Sequence, residues 1–300
     1  MSLTYIGDQV TIYIGLLFLF IGIIGNGINI FIFSTVRTYR TTPSSFYFLC
    51  GSIANIIYIL INLITRIVTA ANGFDLTRTS LIWCKARAFF AGSLSPISLT
   101  CSCLATIDQY LVTSKHVHVR ACSNIRWAHR IIIIITIIWC IHGIFGPVFY
   151  NITSVRCTST NSVYADYSAI YVIVIICAIP VLLLTVFGCL TYRNLRQTIF
   201  LAEQHVDRQL ARTILIQVVL IVVSITPYGI NSTYRLITSN IKKSIDQQVT
   251  ENFITIIVTL ISYLYYIVCI LIGSWVYSHI FYEWFLGTFL HIFYIVKPIS

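Results

Sequence analysis

WCKARAFFAGSLSPISLTCSCLATIDQYLVTS, residues 83–114, decides how the rest of this chain is read. It opens on a cysteine, runs through an apolar helix-length segment and closes on Asp108-Gln109-Tyr110, with Lys115 just beyond. Cys84 and Asp108 lie 24 positions apart. At about 1.5 Å of rise per residue that is roughly 36 Å of helix, enough to carry a chain from one face of a bilayer to the other. A disulfide-capable residue at one end and a charged cluster at the other give the segment two chemically distinct ends.

The composition agrees. The 300 residues are 58% hydrophobic and 9% charged, where a soluble domain carries about a quarter charged residues. So much apolar surface exceeds what a soluble core of this size hides, but it suits lipid. The net charge of +10 is scattered between apolar spans and forms no stripe, so the lipid bilayer is the expected partner and nucleic acid is not. The ten cysteines include no CxxC pair. Most lie inside apolar runs, where a small buried hydrophobe is the ordinary role; Cys84 and Cys157 instead flank such runs. The first apolar run, Val10 to Phe33, is too long for a cleavable signal peptide and lacks a basic leader.

Seven apolar segments follow one another, which predicts an all-α membrane protein: a seven-transmembrane helix bundle making one domain of residues 1–300. The expected helices cover about 10–34, 44–70, 81–114, 127–149, 167–192, 208–232 and 250–277. A short interfacial helix is expected over about 279–296, because Trp284 to Val296 reaches only about 20 Å and falls short of a crossing. The alternation of a membrane barrel is absent. With the amino terminus outside, basic residues number ten in the inner loops against eight on the outer side, a slight bias in the expected sense. The sequon Asn151-Ile152-Thr153 supports this orientation, since its glycosylation needs the lumenal face, and it shares a loop with Cys157. Asn231-Ser232-Thr233 lies too near the sixth segment to count.

In order and spacing these features resemble the rhodopsin-like G-protein-coupled receptors over nearly the whole chain. Gly25-Asn26 is similar to that family's GN pair, and Ser52-Ile53-Ala54-Asn55 stands where it has Leu-Ala-x-x-Asp. Asp108-Gln109-Tyr110 is similar to Asp-Arg-Tyr. Trp139, Pro147, Pro180 and Pro227 resemble its fourth-, fifth- and sixth-helix markers, and Gly273 to Tyr277 takes the Asn-Pro-x-x-Tyr place. The resemblance implies a disulfide between Cys84 and Cys157, pinning the second outer loop over a ligand pocket. It also implies an extracellular ligand, a heterotrimeric G protein and a plasma-membrane location with the carboxyl terminus cytoplasmic. Asp108, Gln109, Tyr110, Asp207 and Tyr277 are then the switch residues on the G-protein side, and Pro180 and Pro227 the helix kinks. Taken singly, each marker also has a plain reading: membrane helices often contain proline, Trp139 could be mere packing, and Asp108 at a helix end could be solvated.

The departures bear on mechanism. Gln109 hydrogen-bonds but forms no ion pair, so Asp207 lacks the arginine it would face in the family. Asn55 replaces the carboxylate of the family's sodium site, which leaves Asn26, Asn55 and Ser98 as a neutral polar cluster. Ile225 replaces the usual sixth-helix tryptophan. Ala91, seven residues after Cys84, stands where amine receptors carry an aspartate, and no lysine in the seventh segment offers a retinal Schiff base. Arg66, Arg87 and Arg235, with Tyr228 and Tyr263, instead suggest a basic, aromatic pocket suited to an anionic or amidated ligand. The plain alternative is that the arginines snorkel to headgroups. A small peptide leads by family analogy and a small chemosensory molecule follows; the eroded switches keep a signalling-silent scaffold open. A transporter would want paired intramembrane charges and inverted repeats, and an enzyme a nucleophile–base pair; none is visible. No cofactor or metal site is expected.

Overall fold

The computed structural model of this chain describes residues 3–73, 75–153, 157–197, 205–239 and 241–267. Among these, seven helices are long and apolar enough to cross a membrane. They are α1 (Leu3–Thr35), α2 (Pro43–Asn72), α3 (Leu81–Thr113), α4 (Ile125–Phe149), α5 (Ser162–Arg196), α6 (His205–Ile237) and α7 (Ile245–Ile267). The chain is therefore a multi-pass membrane protein built as a seven-helix bundle. The expected interfacial helix over 279–296 and Tyr277 lie outside the described residues. Asp207 falls within the backbone of α6, but its side chain is not among those described.

Several limits differ from the sequence reading. Helix α1 begins at Leu3 rather than near residue 10, because its first turns pack on α7: a Cβ on Gly7 would stand 3.0 Å from Ile256 and 3.5 Å from Phe253. Hydropathy sees the apolar run but not this contact. Helix α5 starts at Ser162, where the side chain of Asn161 accepts the Tyr164 amide and caps the first turn. Helix α6 continues to Ile237, and α7 begins at Ile245.

Helix α3 is the central strut. It packs against α2, α4, α5 and α6, while α1 bridges α2 and α7. In its most apolar stretch 56% of the residues are buried, against 17% for α4, so α4 turns most of its surface to lipid. Small residues let the backbones approach: a Cβ on Gly146 of α4 would stand 3.0 Å from the Ala88 carbonyl carbon, and one on Gly143 3.1 Å from the Phe89 oxygen.

Two stretches widen into π-type turns, Ile59–Leu63 in α2 and Val172–Ala178 in α5. Such bulges cluster at functional sites, and both lie at one level of the bundle. Pro180 follows the second, and Pro227 and Pro96 sit inside α6 and α3. Each lacks the amide that would close its helical turn. Between α4 and α5 the chain forms an antiparallel hairpin of β1 (Tyr150–Ile152) and β2 (Cys157–Ser159), pairing Tyr150 with Ser159 and Ile152 with Cys157. Cys84 and Cys157 are joined by a disulfide with their Cα atoms 5.8 Å apart, which fastens the hairpin to the start of α3.

Candidate ligand cavity and the polar network beneath it

Under this hairpin lies a cavity of about 390 Å³, within the roughly 300–1,000 Å³ of small-molecule pockets. The five residues singled out from sequence, Arg66, Arg87, Ala91, Tyr228 and Tyr263, all line it. So do Asn62 and Ile176 of the two widened turns. Arg235 does not join them: it is exposed at the far end of α6 and donates to Thr255 Oγ1 at 3.2 Å. The pocket is basic and aromatic, with eight tyrosines and no aspartate or glutamate among the described residues that line it. Arg87 Nε reaches Asn62 Oδ1 at 3.4 Å, while Arg66 Nε is buried without a partner among the described residues. Burial pushes the Tyr150 phenol above its ordinary value, and the nearby Arg87 guanidinium offsets part of that rise.

One wall is an aromatic ladder. Tyr164, Tyr167 and Tyr171 follow one face of α5; His142 stacks on Tyr171 at 4.4 Å and its Nε2 meets the Tyr167 hydroxyl at 2.9 Å. Trp139 does more than pack, donating from Nε1 to Thr100 Oγ1 at 3.2 Å and tying α4 to α3. The floor is made by Tyr58, Tyr263 and Tyr266. The Tyr58 and Tyr266 rings stack at 4.2 Å, and the Tyr266 hydroxyl meets Ser95 Oγ at 2.7 Å.

Directly below, Asn26, Asn55 and Ser98 are brought together. Asn55 Nδ2 donates to Asn26 Oδ1 at 3.2 Å, Ser98 Oγ donates to Asn55 Oδ1, and Asn26 Nδ2 donates to the Tyr266 carbonyl at 2.8 Å. The sequence reading missed Tyr265, whose hydroxyl lies 2.6 Å from Ser98 Oγ and 3.1 Å from Ser102 Oγ. Gln217 of α6 reaches Ser102 Oγ at 3.5 Å. Tyr266 faces the cavity while its neighbour Tyr265 enters this network, so one turn of α7 touches both.

At the opposite end of α3, Asp108 is buried, at 5% exposure, which overturns the solvated alternative. Its carboxylate accepts the Ser44 amide at 3.0 Å, the Ser44 hydroxyl, and Ser123 Oγ at 2.6 Å. Ser44 follows Pro43 in the first turn of α2, where backbone amides have no helical acceptor. A carboxylate from a neighbouring helix is well suited to satisfy one and to complement the helix dipole. Gln109, fully buried, donates from Nε2 to Ser44 Oγ at 3.0 Å, leaving its Oε1 without a partner among the described residues. Tyr110 packs edge-on against Phe187 of α5. Neither serine stands out in the sequence; the signal that points to Ser44 is its place after Pro43 at a helix start.

A bundle of seven crossing helices, tied at one end by a disulfide over an aromatic cavity, defines a seven-transmembrane receptor architecture. The family model described as 7 transmembrane receptor (rhodopsin family) matches residues 25–271. The chain belongs to the rhodopsin family of seven-transmembrane receptors: it is a signalling receptor, and the family is not one of enzymes. No curated protein matches it.

Proposed function

We propose that this receptor takes up an extracellular ligand, one end of a small peptide, in the cavity beneath the Cys84–Cys157 hairpin and signals to a heterotrimeric G protein at the Asp108 end. The observation that carries the reading is the convergence of Arg66, Arg87, Tyr228 and Tyr263, from four helices, on one cavity. In this reading the protein lies in the plasma membrane with its amino terminus outside and its carboxyl terminus cytoplasmic. That places the exposed Asn151 of the hairpin on the glycosylated face.

The ligand acts by shifting the balance between helix arrangements. Tyr266 senses it from the cavity floor, and Tyr265, one residue earlier, carries the shift to Ser98 and Ser102. This pair takes the role left vacant by Ile225. Asp108, Gln109 and Tyr110 hold the far end in its resting arrangement, with neutral partners in place of an ion pair. The modest cavity volume favours a second reading, in which the whole ligand is a small chemosensory molecule.

The test is G-protein activation in cells, with a peptide library and a small-molecule set, for wild type, Tyr263→Ala and Gln109→Arg. The expected result is a ligand response in wild type that Tyr263→Ala loses at equal surface expression. Signalling by Gln109→Arg alone would assign the natural chain a binding role without coupling.

A further inference from the structure

The basic, aromatic lining fits an anionic or an amidated ligand in outline, and the charges in the cavity separate the two. Arg66 of α2 and Arg87 of α3 line the same cavity from adjacent helices, close enough to repel one another. Among the described residues no carboxylate lines the cavity with them. Their closest partners are neutral: Asn62 Oδ1, at a long 3.4 Å from Arg87 Nε, and the phenols of Tyr228 near Arg66 and Tyr150 near Arg87. Asp75, the acid whose charge reaches Arg87, is itself paired with Arg78. Elsewhere among the described residues, cations near acids are used: Lys243 pairs with Glu251 at 2.6 Å and Arg78 with Asp75 at 3.4 Å. Intramembrane cations ordinarily pair with an acid or a carbonyl, because an unpaired charge at low dielectric is costly. Here Arg87 has one neutral acceptor at long range, and Arg66 keeps a buried Nε–H without a partner among the described residues.

Resting on the cavity being the ligand site, we propose that the ligand presents a carboxylate to Arg66 and Arg87, with an aromatic or apolar body lying among Tyr58, Tyr263 and Tyr266. A carboxylate brings the missing countercharge and accepts from both guanidinium groups in charge-assisted bonds. An amidated end supplies one neutral carbonyl and leaves both positive charges uncompensated. The peptide class that fits is one ending in a free carboxylate after an aromatic or apolar residue; an aromatic acid meets the same chemistry.

The assignment has two consequences, one in binding and one in stability. Receptor purified in a neutral detergent without phospholipid is melted with 3-phenylpropionate and the dipeptide Phe-Phe, each beside its amide, and also with phosphatidic acid in mixed micelles. The acids should raise the Tm at concentrations at least about tenfold below their amides, the ratio a charge-assisted bond supports. Arg66→Gln and Arg87→Gln should lose that preference, and Arg→Lys at either site should keep part of it. Because each arginine repels the other in the empty cavity, both glutamine variants should melt above wild type without ligand, the reverse of what a structural arginine does on removal.

Equal shifts by acid and amide, or glutamine variants that melt lower and still prefer acids, would overturn the carboxylate. A Tm moved by phosphatidic acid alone makes the arginines lipid anchors and overturns it too, as does a Tm that no probe moves. Tyr263→Ala separates this from the reading beneath it. If acid and amide bind equally and Tyr263→Ala loses both, the cavity stands as the site and only the carboxylate fails. If Tyr263→Ala leaves the shifts untouched, the cavity itself is the wrong site.

Discussion

The two ends of α3 handle charge in opposite ways. At one end a single carboxylate, Asp108, takes hydrogen bonds from the Ser44 amide, the Ser44 hydroxyl and Ser123, all supplied by the chain itself. At the other, Arg66 and Arg87 face a cavity with no acid in its lining, and Arg66 Nε has no partner among the described residues. Buried charges are normally satisfied. The Asp108 carboxylate is, although the neutral Gln109 Oε1 beside it has no partner among the described residues, whereas the guanidinium of Arg66 is not. We read the difference as a division of labour, a closed end that sets the resting state and an open end that waits for a molecule the chain does not contain.

The largest test of that contrast is Cys84→Ala. The disulfide closes a separation of 73 residues, for which loop entropy alone gives about 4 kcal/mol. Without it the hairpin is no longer fixed over the cavity. Surface expression or ligand binding should be lost, and a Cys84→Ala receptor with normal levels of both would detach the hairpin from cavity formation.

The next test works at the closed end. Asp108→Asn turns one of two acceptor oxygens, Oδ2 with two donors or Oδ1 with one, into a donor facing donors, and should cost about 2 kcal/mol. Thermal unfolding in detergent should move down by several degrees, with a matching rise in ligand-independent signalling as the resting arrangement weakens. An unchanged Tm would mean that the three hydrogen bonds contribute no more than water does.

These two sites also show what the sequence reveals and what it hides. Seven crossings and the chemistry of the pocket were legible, because length, hydropathy and residue type carry them, and the Cys84–Cys157 pair followed from the family resemblance. The network partners were not. Ser44 lies 64 positions from Asp108, and Tyr265 lies 167 from Ser98. A hydroxyl residue in a membrane helix looks the same from sequence whether it bonds its own i−4 carbonyl, as Thr106 does, or another helix. Helix ends were misjudged for a related reason: the first turns of α1 persist through contact with α7, which apolar runs do not encode. Arg235 was grouped with the cavity arginines by residue type, and only its position along α6 sets it apart.

Between the two ends, Tyr265→Phe sharpens the contrast by a smaller amount. It removes the hydroxyl that lies within reach of Ser98 and Ser102, an expected loss of about 1 kcal/mol in thermal unfolding. Ser98→Ala on the Tyr265→Phe background should add less than it does on wild type, because both substitutions delete the same bond. Full additivity would show that the two hydroxyls are not coupled.

The smallest expected effect is none at all, and it concerns sodium. A cation in the interior needs a countercharge, and Asn55 offers an amide whose oxygen already accepts from Ser98 and whose nitrogen donates to Asn26. Both ends of that amide are in use, and Tyr265 adds a further hydroxyl at Ser98. The wild-type Tm and agonist affinity should therefore coincide in sodium chloride and in choline chloride of the same ionic strength. Asn55→Asp restores a carboxylate facing the hydroxyls of Ser98 and Tyr265, and its Tm should separate between the two salts. A wild type that already distinguishes the salts would mean that the neutral oxygens of this cluster hold a cation unaided, and the interior of the bundle would then rank with its open end as a site awaiting a ligand.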